Sequence, residues 1–298
     1  MPNWSSNTIA VKGKKESIIN WLNKGIGEKK LTTDMDCITI QNILNESKLT
    51  LDSFNPMPET FNDWDTTNQM EYYMNWLCGG YNDNLKKNSP LFGSQEVYKA
   101  VTAAAKEKFG EKEYTREQED EVAKELYPQY VADYEKYCEG WKAAKKYQEE
   151  TYGVVGWYDW GCKYRGTKWN ADLEGWSLHF DGGDDEDSIL IFRCETAWSF
   201  PSGWLDKMQE DNEDLLFFCR ASEEGGFYNG YFAVGEGDWA YNADDLYSQC
   251  KAEIENEVEK NGDEVDEDDI EEMVWERMNE KDDEIFYQFM EFVEGYEK

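Results

Sequence analysis

The stretch from Gly153 to Trp204 constrains the fold most, because it opens a series of strand-like runs separated by polar turns. Runs rich in aromatic and β-branched residues predict four strands, at 176–180, 189–194, 215–221 and 227–234. A short helix is expected between the second and third of them, at 203–211. A strand–helix–strand–strand order with one face covered is what an α+β sandwich needs.

The start of the chain predicts one more strand and the first helix. Polar and apolar residues alternate from 7 to 11 before Gly13, which indicates a strand that ends in a turn. The segment 17–22 then predicts a helix with four apolar residues on its buried side: Ile18, Ile19, Trp21 and Leu22. The segment 37–44 fits either a strand or the start of a helix.

Two patterns in the central stretch resemble a known family. W-Y-D-W…G-T-K-W-N-A at 157–171 and T-A-W-S-x-P at 196–201 are similar to the YubB-type, ferredoxin-like family of plasmid and phage proteins. P-N-W-S-S-N-T-I-A-V-K-G at 2–13 and F-N-P-M-P-E at 54–59 fit the same family, in the expected order. The resemblance implies a ferredoxin-like antiparallel sheet with an insertion of variable length. We therefore expect an α+β core of residues 1–60 and 153–242, interrupted by an insertion at 61–152.

Four tryptophans in these motifs are predicted to be core residues. Trp4 is interpreted as a core anchor, because aromatic side chains bury large areas. Trp157, Trp169 and Trp198 are expected to be largely buried and to pack the sheet against the loop before it.

The insertion is predicted to be mainly helical. One helix is expected after Ser94, Thr115 with Gln118 fits the capping box of the next, and Pro128 is expected to kink or restart it. Spacings of three and four then place a stripe on one helical face: Val122, Leu126, Tyr130, Tyr134, Tyr137 and Trp141. Two interpretations stay open. The stripe packs within the insertion, or it binds a partner or a second copy, because Tyr and Trp are enriched in interfaces.

Residues 243–298 form an acidic, helical C-terminal arm. They include 22 acidic and 5 basic residues, so nearly half of the formal net charge of −35 lies there. Apolar residues recur every four positions and predict two amphipathic helices, broken at Asn261-Gly262. The closing apolar residues are too many for a free tail and predict a docking or self-association arm: Ile285, Phe286, Phe289, Met290, Phe292 and Val293.

The charge balance limits the possible partners. With 30 Lys and Arg against 65 Asp and Glu, we expect no direct binding to nucleic acid or membrane and a preference for basic protein surfaces, such as those that hold DNA. No apolar run reaches the roughly 18 residues of a spanning helix, and no secretory segment follows Met1. The seven cysteines are scattered and never spaced as C-x-x-C, which indicates reduced thiols in the host cytoplasm.

The sequence does not support a catalytic, metal or cofactor site. His179 is the single histidine and has no nucleophile pattern near it, so it is interpreted as a packed or edge-strand histidine. The cysteine and histidine spacings do not fit zinc, and the acidic loops at 181–187 and 263–272 do not fit the calcium-loop pattern. We therefore expect no catalytic residue, metal or cofactor, with an enzyme as a distant alternative.

Two classes of function fit these features. The first is a phage-encoded, homo-oligomeric anti-defence protein that binds a bacterial DNA-processing complex and blocks its access to DNA without catalysis. In size, acidity and helical content the chain is similar to the phage inhibitors of the Gabija defence nuclease complex. The second is an acidic DNA mimic, whose carboxylates stand in for phosphates and which acts on other DNA-binding or restriction proteins. The apolar residues of the arm favour the first class, so deletion of 282–298 is expected to do more harm than amide substitutions within 263–272.

Overall fold

The computed structural model describes residues 2–27, 30–64, 66, 95–110, 114–128, 131–180, 187–225, 228–242, 244–261 and 265–296. Its strands form one antiparallel sheet: β1 (Trp4–Lys14), β2 (Glu174–His179), β3 (Asp187–Ala197), β4 (Leu215–Glu223), β5 (Asn229–Ala233) and β6 (Tyr241–Asn242). The order across the sheet is β2-β3-β1-β4-β5-β6. Helices and one antiparallel sheet make the fold α+β, which confirms the predicted class.

The helices within the described ranges are α1 (Lys15–Ile26), α2 (Cys37–Ser47), α3 (Leu51–Phe54), α4 (Glu59–Asp63), α5 (Gln95–Phe109), α6 (Arg116–Leu126), α7 (Val131–Tyr152), α8 (Gly156–Trp160), α9 (Ser202–Asp211), α10 (Asp244–Asn261) and α11 (Glu267–Gly295). A short π-helix, Gly161–Arg165, follows α8. The ambiguous segment at 37–44 lies in α2, because the Asp36 side chain caps the helix by accepting a hydrogen bond from the Thr39 N–H. The predicted capping box of Thr115 and Gln118 is present at the start of α6.

β1 is the central strand, and it is longer than the predicted 7–11. It pairs with β3 from Trp4 opposite Ala197 to Lys14 opposite Asp187, and with β4 on its other side. Two full ladders satisfy its backbone groups, so the strand extends beyond the stretch that shows alternation. α1 comes directly after β1 and α9 directly after β3, and the strand order β2-β3-β1-β4 is compatible with the predicted ferredoxin-like arrangement.

The two faces of the sheet bury separate cores. The larger core lies between one face and α1, α2 and α9, and its centre is Trp21, stacked on Phe54 at 4.4 Å and packed edge-on against Phe217 at 5.6 Å. The four predicted apolar residues of α1 are all buried in it. On the opposite face, α10 and α11 cover Ala10, Ile191 and Phe218.

The chain divides into two compact units. One contains residues 1–56 and 161–298, and the other contains residues 57–160. The predicted insertion at 61–152 therefore lies within the second unit. The C-terminal helices belong to the first unit because their apolar sides pack directly on the sheet.

Candidate protein-binding surfaces

Three tryptophans predicted to be core residues are exposed. The exposed fraction is 40% for Trp4, 40% for Trp169 and 54% for Trp198, so the predicted core role of these three is wrong. Trp4 and Ala197 form the last pair of the β1–β3 ladder, and Trp198 follows directly, so these two tryptophans lie beyond the rows that the helices cover. Trp157 is half-buried in the second unit, with its ring 6.0 Å from that of Tyr158.

We call Trp4, Trp169 and Trp198 the tryptophan surface. The rings of Trp4 and Trp169 are 6.2 Å apart, and the N–H of Trp198 donates to the carbonyl of Asn3 at 2.9 Å, next to Trp4. The Nζ of Lys168 lies 4.9 Å from the ring centre of Trp169. Aromatic groups grouped at one sheet end in this way are the kind of residue that anchors protein interfaces.

Buried hydrogen bonds hold the segments that carry these tryptophans. The hydroxyl of Thr167 donates to the carbonyl of Ala197 at 2.9 Å, and the hydroxyl of Ser199 donates to the carbonyl of Gly166. On the strand side, the amide of Asn7 donates to the hydroxyl of Thr196 at 2.9 Å. A satisfied polar network of this kind fixes its members in one arrangement.

The loop before Trp169 is also held by an ion pair and by a close backbone contact. The guanidinium of Arg165, only 4% exposed, donates two 2.6 Å hydrogen bonds to the carboxylate of Asp52. Gly166 has a positive φ of 81°, and a Cβ there would lie 2.5 Å from the backbone nitrogen of Ser202. Only glycine fits this close approach, so the G-T-K-W motif has a specific packing requirement.

Trp198 has a φ of 71°, in the left-handed region that bulky residues rarely adopt. Such a conformation costs on the order of 1–3 kcal/mol and persists where the surroundings hold it. The bond from the Trp198 N–H to Asn3 and the Thr167 bond to the preceding carbonyl provide that hold. A strained backbone that presents an exposed indole is a feature expected of a functional site.

The second surface is the acidic ridge, which we define as the exposed carboxylates of α10 and α11. Its members are Glu253, Glu255, Glu257, Glu259, Glu267, Asp268, Asp269, Glu271, Glu272, Glu276, Glu280, Asp283, Glu284, Glu291 and Glu294. The 29 residues of α11 extend over about 43 Å at the usual helical rise.

Two cationic side chains of α11 form ion pairs with carboxylates of the ridge itself. Arg277 contacts Glu257 at 3.1 Å and Glu253 at 3.5 Å, and Lys281 contacts Glu253 at 3.0 Å, which ties α11 to α10. Hydrogen bonding to Lys281 lowers the pKa of Glu253, and hydrogen bonding to Glu257 raises the pKa of Arg277. These cations therefore brace the two helices, and most of the exposed charged side chains on them are carboxylates.

The predicted docking residues of the arm face the chain's own sheet. Ile285, Phe289 and Val293 are fully buried in the second core, and Phe292 and Met290 pack partly against it. Phe286 is half-buried. The ring of Phe292 lies 5.8 Å from that of Phe218 on β4. Partner binding by these residues stays a prediction. In the structure most of them pack against the sheet of the same chain.

The aromatic stripe of the insertion lies in the second unit, where Tyr130 is outside the described residues. Tyr134 and Tyr137 lie in α7 with side chains outside the described part, and Trp141 is half-buried with the Nζ of Lys145 at 5.1 Å from its ring centre. Val122 is buried in α6, and Leu126 is 46% exposed. A role of the stripe in association stays a prediction.

The single histidine lies at the sheet edge, and the described residues contain no group of metal ligands. His179 is exposed on the edge strand β2, with its Nε2 3.2 Å from the Ser177 hydroxyl. Burial raises the pKa of the Cys194 thiol to about 12, so it is protonated at neutral pH. Among the residues described, no three His, Cys, Asp or Glu side chains are grouped as metal ligands. The helices described include none long and apolar enough to cross a membrane.

Comparison with known proteins gives little similarity. No family model matches the chain, and no curated protein matches it. Among solved structures, protein api92 from Yersinia pseudotuberculosis, of the family DUF1281, is similar over 81% of this chain and 97% of its own, with 9% sequence identity and a TM-score of 0.30. The chain's own residues therefore carry the functional argument.

Sequence reasoning misses the exposed tryptophans because large aromatic side chains are typical of buried positions. Their neighbours in the sequence were informative: Trp4 precedes two serines, Trp169 lies between Lys168 and Asn170, and Trp198 stands three residues before Pro201. Polar flanks and a coming turn are signals of a surface position.

Proposed function

We propose that this chain is a non-catalytic binding protein that occupies a basic, DNA-holding surface of a partner protein. Following the similarity in size, acidity and helical content described above, we propose that the chain is a phage-encoded inhibitor of a bacterial DNA-processing defence complex, such as the Gabija nuclease complex. We also propose that the sheet is an elaborated ferredoxin-like sheet, which the order of β1 to β4 and their helices supports.

The acidic ridge carries this proposal. The two helices turn their apolar sides to the sheet, pair their central cations with Glu253 and Glu257, and present carboxylates outward. Duplex DNA carries one negative charge for about every 1.7 Å of its axis, and a basic DNA-holding surface is complementary to such a row. A long anionic ridge on two helices joined by ion pairs is complementary to the same surface.

The burial of apolar residues of the C-terminal arm changes which mode of partner binding the chain favours, shape-specific binding or charge mimicry. The sequence favoured shape-specific binding because the arm has many apolar residues, but Ile285, Phe289 and Val293 are buried in the chain's own core. Because these residues stabilise the chain's own fold, their number is not evidence against charge mimicry. The tryptophan surface supplies apolar anchors instead, so we propose that the ridge provides the charge contact and the tryptophan surface provides the shape-specific contact.

A displacement assay with the purified Gabija complex and a labelled DNA duplex tests the proposal. Wild-type protein is expected to release the duplex, and a ridge variant with Glu271→Gln, Glu272→Gln and Glu276→Gln is expected to need a higher concentration. The matched control removes three exposed acids elsewhere in the same unit, through Glu210→Gln, Glu213→Gln and Asp214→Asn. No release by the wild type contradicts the proposed partner, and equal weakening of both variants contradicts the role of the ridge.

The second candidate function is a general DNA mimic. It is favoured by the same ridge, because contacts made by carboxylates alone do not depend on one partner's shape. Release of DNA from an unrelated restriction endonuclease at similar concentrations, unaffected by Trp198→Ala, would favour this candidate over a Gabija-specific inhibitor.

A further inference from the structure

One end of the sheet face that α10 and α11 cover remains open, and it forms a polar cleft of about 440 Å³. The covered part ends at the row Ile191, Ala10 and Phe218. The next row is polar: Thr8 on β1 stands directly opposite Arg193 on β3 and Arg220 on β4. Residues directly opposite in an antiparallel ladder project to the same face, so both arginines flank Thr8 in the cleft.

A second polar row follows toward the tryptophan surface. Ser6 on β1 is opposite Glu195 on β3 and Ser222 on β4, and Asn229 on β5 is opposite Ser222. With strands about 4.8 Å apart, the backbones at Arg193 and Arg220 are about 10 Å apart, close enough for two long side chains to reach one ligand.

Arg193 and three hydroxyl groups of this cleft are available to a ligand. Within the residues that the structure describes, Arg193 has no ion pair although the chain is strongly acidic, and the hydroxyls of Ser6, Thr8 and Ser222 have no hydrogen-bond partner. Among the described residues, the buried Oδ1 of Asn229, which stands opposite Ser222, has no donor. An accessible guanidinium beside several hydroxyls in one cleft is an arrangement that can bind an anion through charge-assisted hydrogen bonds.

We propose that this cleft binds a small phosphate ester that also carries hydroxyl or amino groups. The cleft is lined by the accessible Arg193, by Arg220 and by hydroxyls of β1 and β4, and a phosphate group has enough oxygens to accept hydrogen bonds from several of these strands at once. Glu174, opposite Arg193, and Glu195 lie at the β2–β3 side of the cleft. They accept hydrogen bonds from the hydroxyl or amino groups of the ester, and they select against a ligand that is anionic throughout.

Titration of the full chain with inorganic phosphate and with glycerol phosphate, followed by backbone amide NMR, tests this site. Both probes are expected to saturate and to shift the amides of Thr8, Arg193, Arg220 and Ser222, with glycerol phosphate binding more tightly. Acetate at equal concentration is expected not to compete. Shifts confined to other parts of the chain, the absence of saturation, or equal competition by acetate would each overturn the proposal.

Two substitutions that each remove one positive charge distinguish a specific contribution of the site to binding from an effect of the protein's net charge. Arg193→Gln is expected to weaken binding of both probes by about tenfold or more, since charge-assisted hydrogen bonds are lost. Lys207→Gln, on α9 at the opposite face, is expected to leave binding unchanged. Arg193 is exposed, so thermal melting of the variant is expected to match that of wild type. Equal weakening by the two substitutions would show that only net charge matters and would overturn the site.

Discussion

Trp198 and Trp204 are only six positions apart, yet their side chains have opposite environments. Trp198 is 54% exposed and held in a left-handed backbone conformation, whereas Trp204 is fully buried and its Nε1 donates to the carbonyl of Leu51 at 2.9 Å. The turn at Pro201 separates them and starts α9, which carries Trp204 into the core. Burial, not residue type, therefore decides which of the two stabilises the fold.

Alanine substitution at these two positions should separate binding from stability. Trp204→Ala is expected to lower the free energy of unfolding by about 3–5 kcal/mol, as for other buried aromatic residues. Trp198→Ala is expected to change it by less than about 1 kcal/mol and to weaken partner binding. Urea denaturation measures both changes. A large loss of stability in Trp198→Ala would show that its side chain is a structural support.

The Arg165–Asp52 pair gives a second prediction at the residue scale. Asp52→Asn leaves the buried guanidinium without its carboxylate, and breaking a buried pair from one side costs about 3–5 kcal/mol. Asp211→Asn removes the partner of the exposed Lys207 and is expected to cost less than about 1 kcal/mol. Equal destabilisation of the two variants, measured by urea denaturation, would contradict a special role for the buried pair.

At the scale of elements, α11 is joined to the sheet by packing and by one buried lysine. The Nζ of Lys12 on β1 donates to the carbonyls of Val293, Glu294 and Tyr296 at 3.2, 2.9 and 2.9 Å. The last carbonyls of a helix lack partners within it, and a cation there also complements the helix dipole. The lysine therefore fixes the end of the acidic ridge on the central strand.

Neighbouring aromatic residues of α11 should respond differently to truncation. Phe289 is fully buried against Tyr231, at a ring distance of 5.8 Å, and Phe289→Ala is expected to cost about 3–5 kcal/mol of unfolding free energy. Tyr287 is 69% exposed, and Tyr287→Ala is expected to leave stability within about 0.5 kcal/mol of wild type. Similar melting temperatures for the two variants would contradict the docking of α11 on the sheet.

The sequence predicted elements better than it predicted their surroundings. Local patterns located β1 to β5, α1, α9 and the two C-terminal helices, which end at Asn261 and begin at Glu267, because periodicity is a local property; they left the type of α2 open and did not predict β6. They did not locate the exposed tryptophans or the arginine cleft. Those depend on where the helices that cover the sheet end, and on which β3 and β4 residues stand opposite Thr8, and both are long-range properties of the fold.

For the whole molecule, deletion of 282–298 is a less direct test than the sequence suggested. The deletion removes Phe289 and Val293 from the second core and removes the carbonyls that hold Lys12. Loss of inhibition would then reflect loss of fold. Substitutions on the exposed side of the ridge change the charge and leave this core intact.

The net charge of −35 predicts opposite effects of salt on the fold and on the proposed complex. Carboxylates of the ridge repel one another in the free protein, and raising the ionic strength shortens the screening length from about 10 Å at 0.1 M to about 3 Å at 1 M. The Tm of the free protein is therefore expected to rise with sodium chloride. The Kd for the Gabija complex is expected to increase over the same range, because attraction between the ridge and a basic surface is screened.

The slope of binding against salt then decides how the two surfaces share the contact. The Glu271, Glu272 and Glu276 amide variant is expected to show a shallower salt dependence, because fewer carboxylates contribute. Trp198→Ala is expected to keep the wild-type slope and to bind more weakly at every salt concentration, because an apolar anchor is not screened. If the Kd does not depend on salt concentration and binding is lost in Trp198→Ala, recognition is due to the tryptophan surface alone. Binding with a steep slope that ignores Trp198→Ala would make the protein a charge mimic.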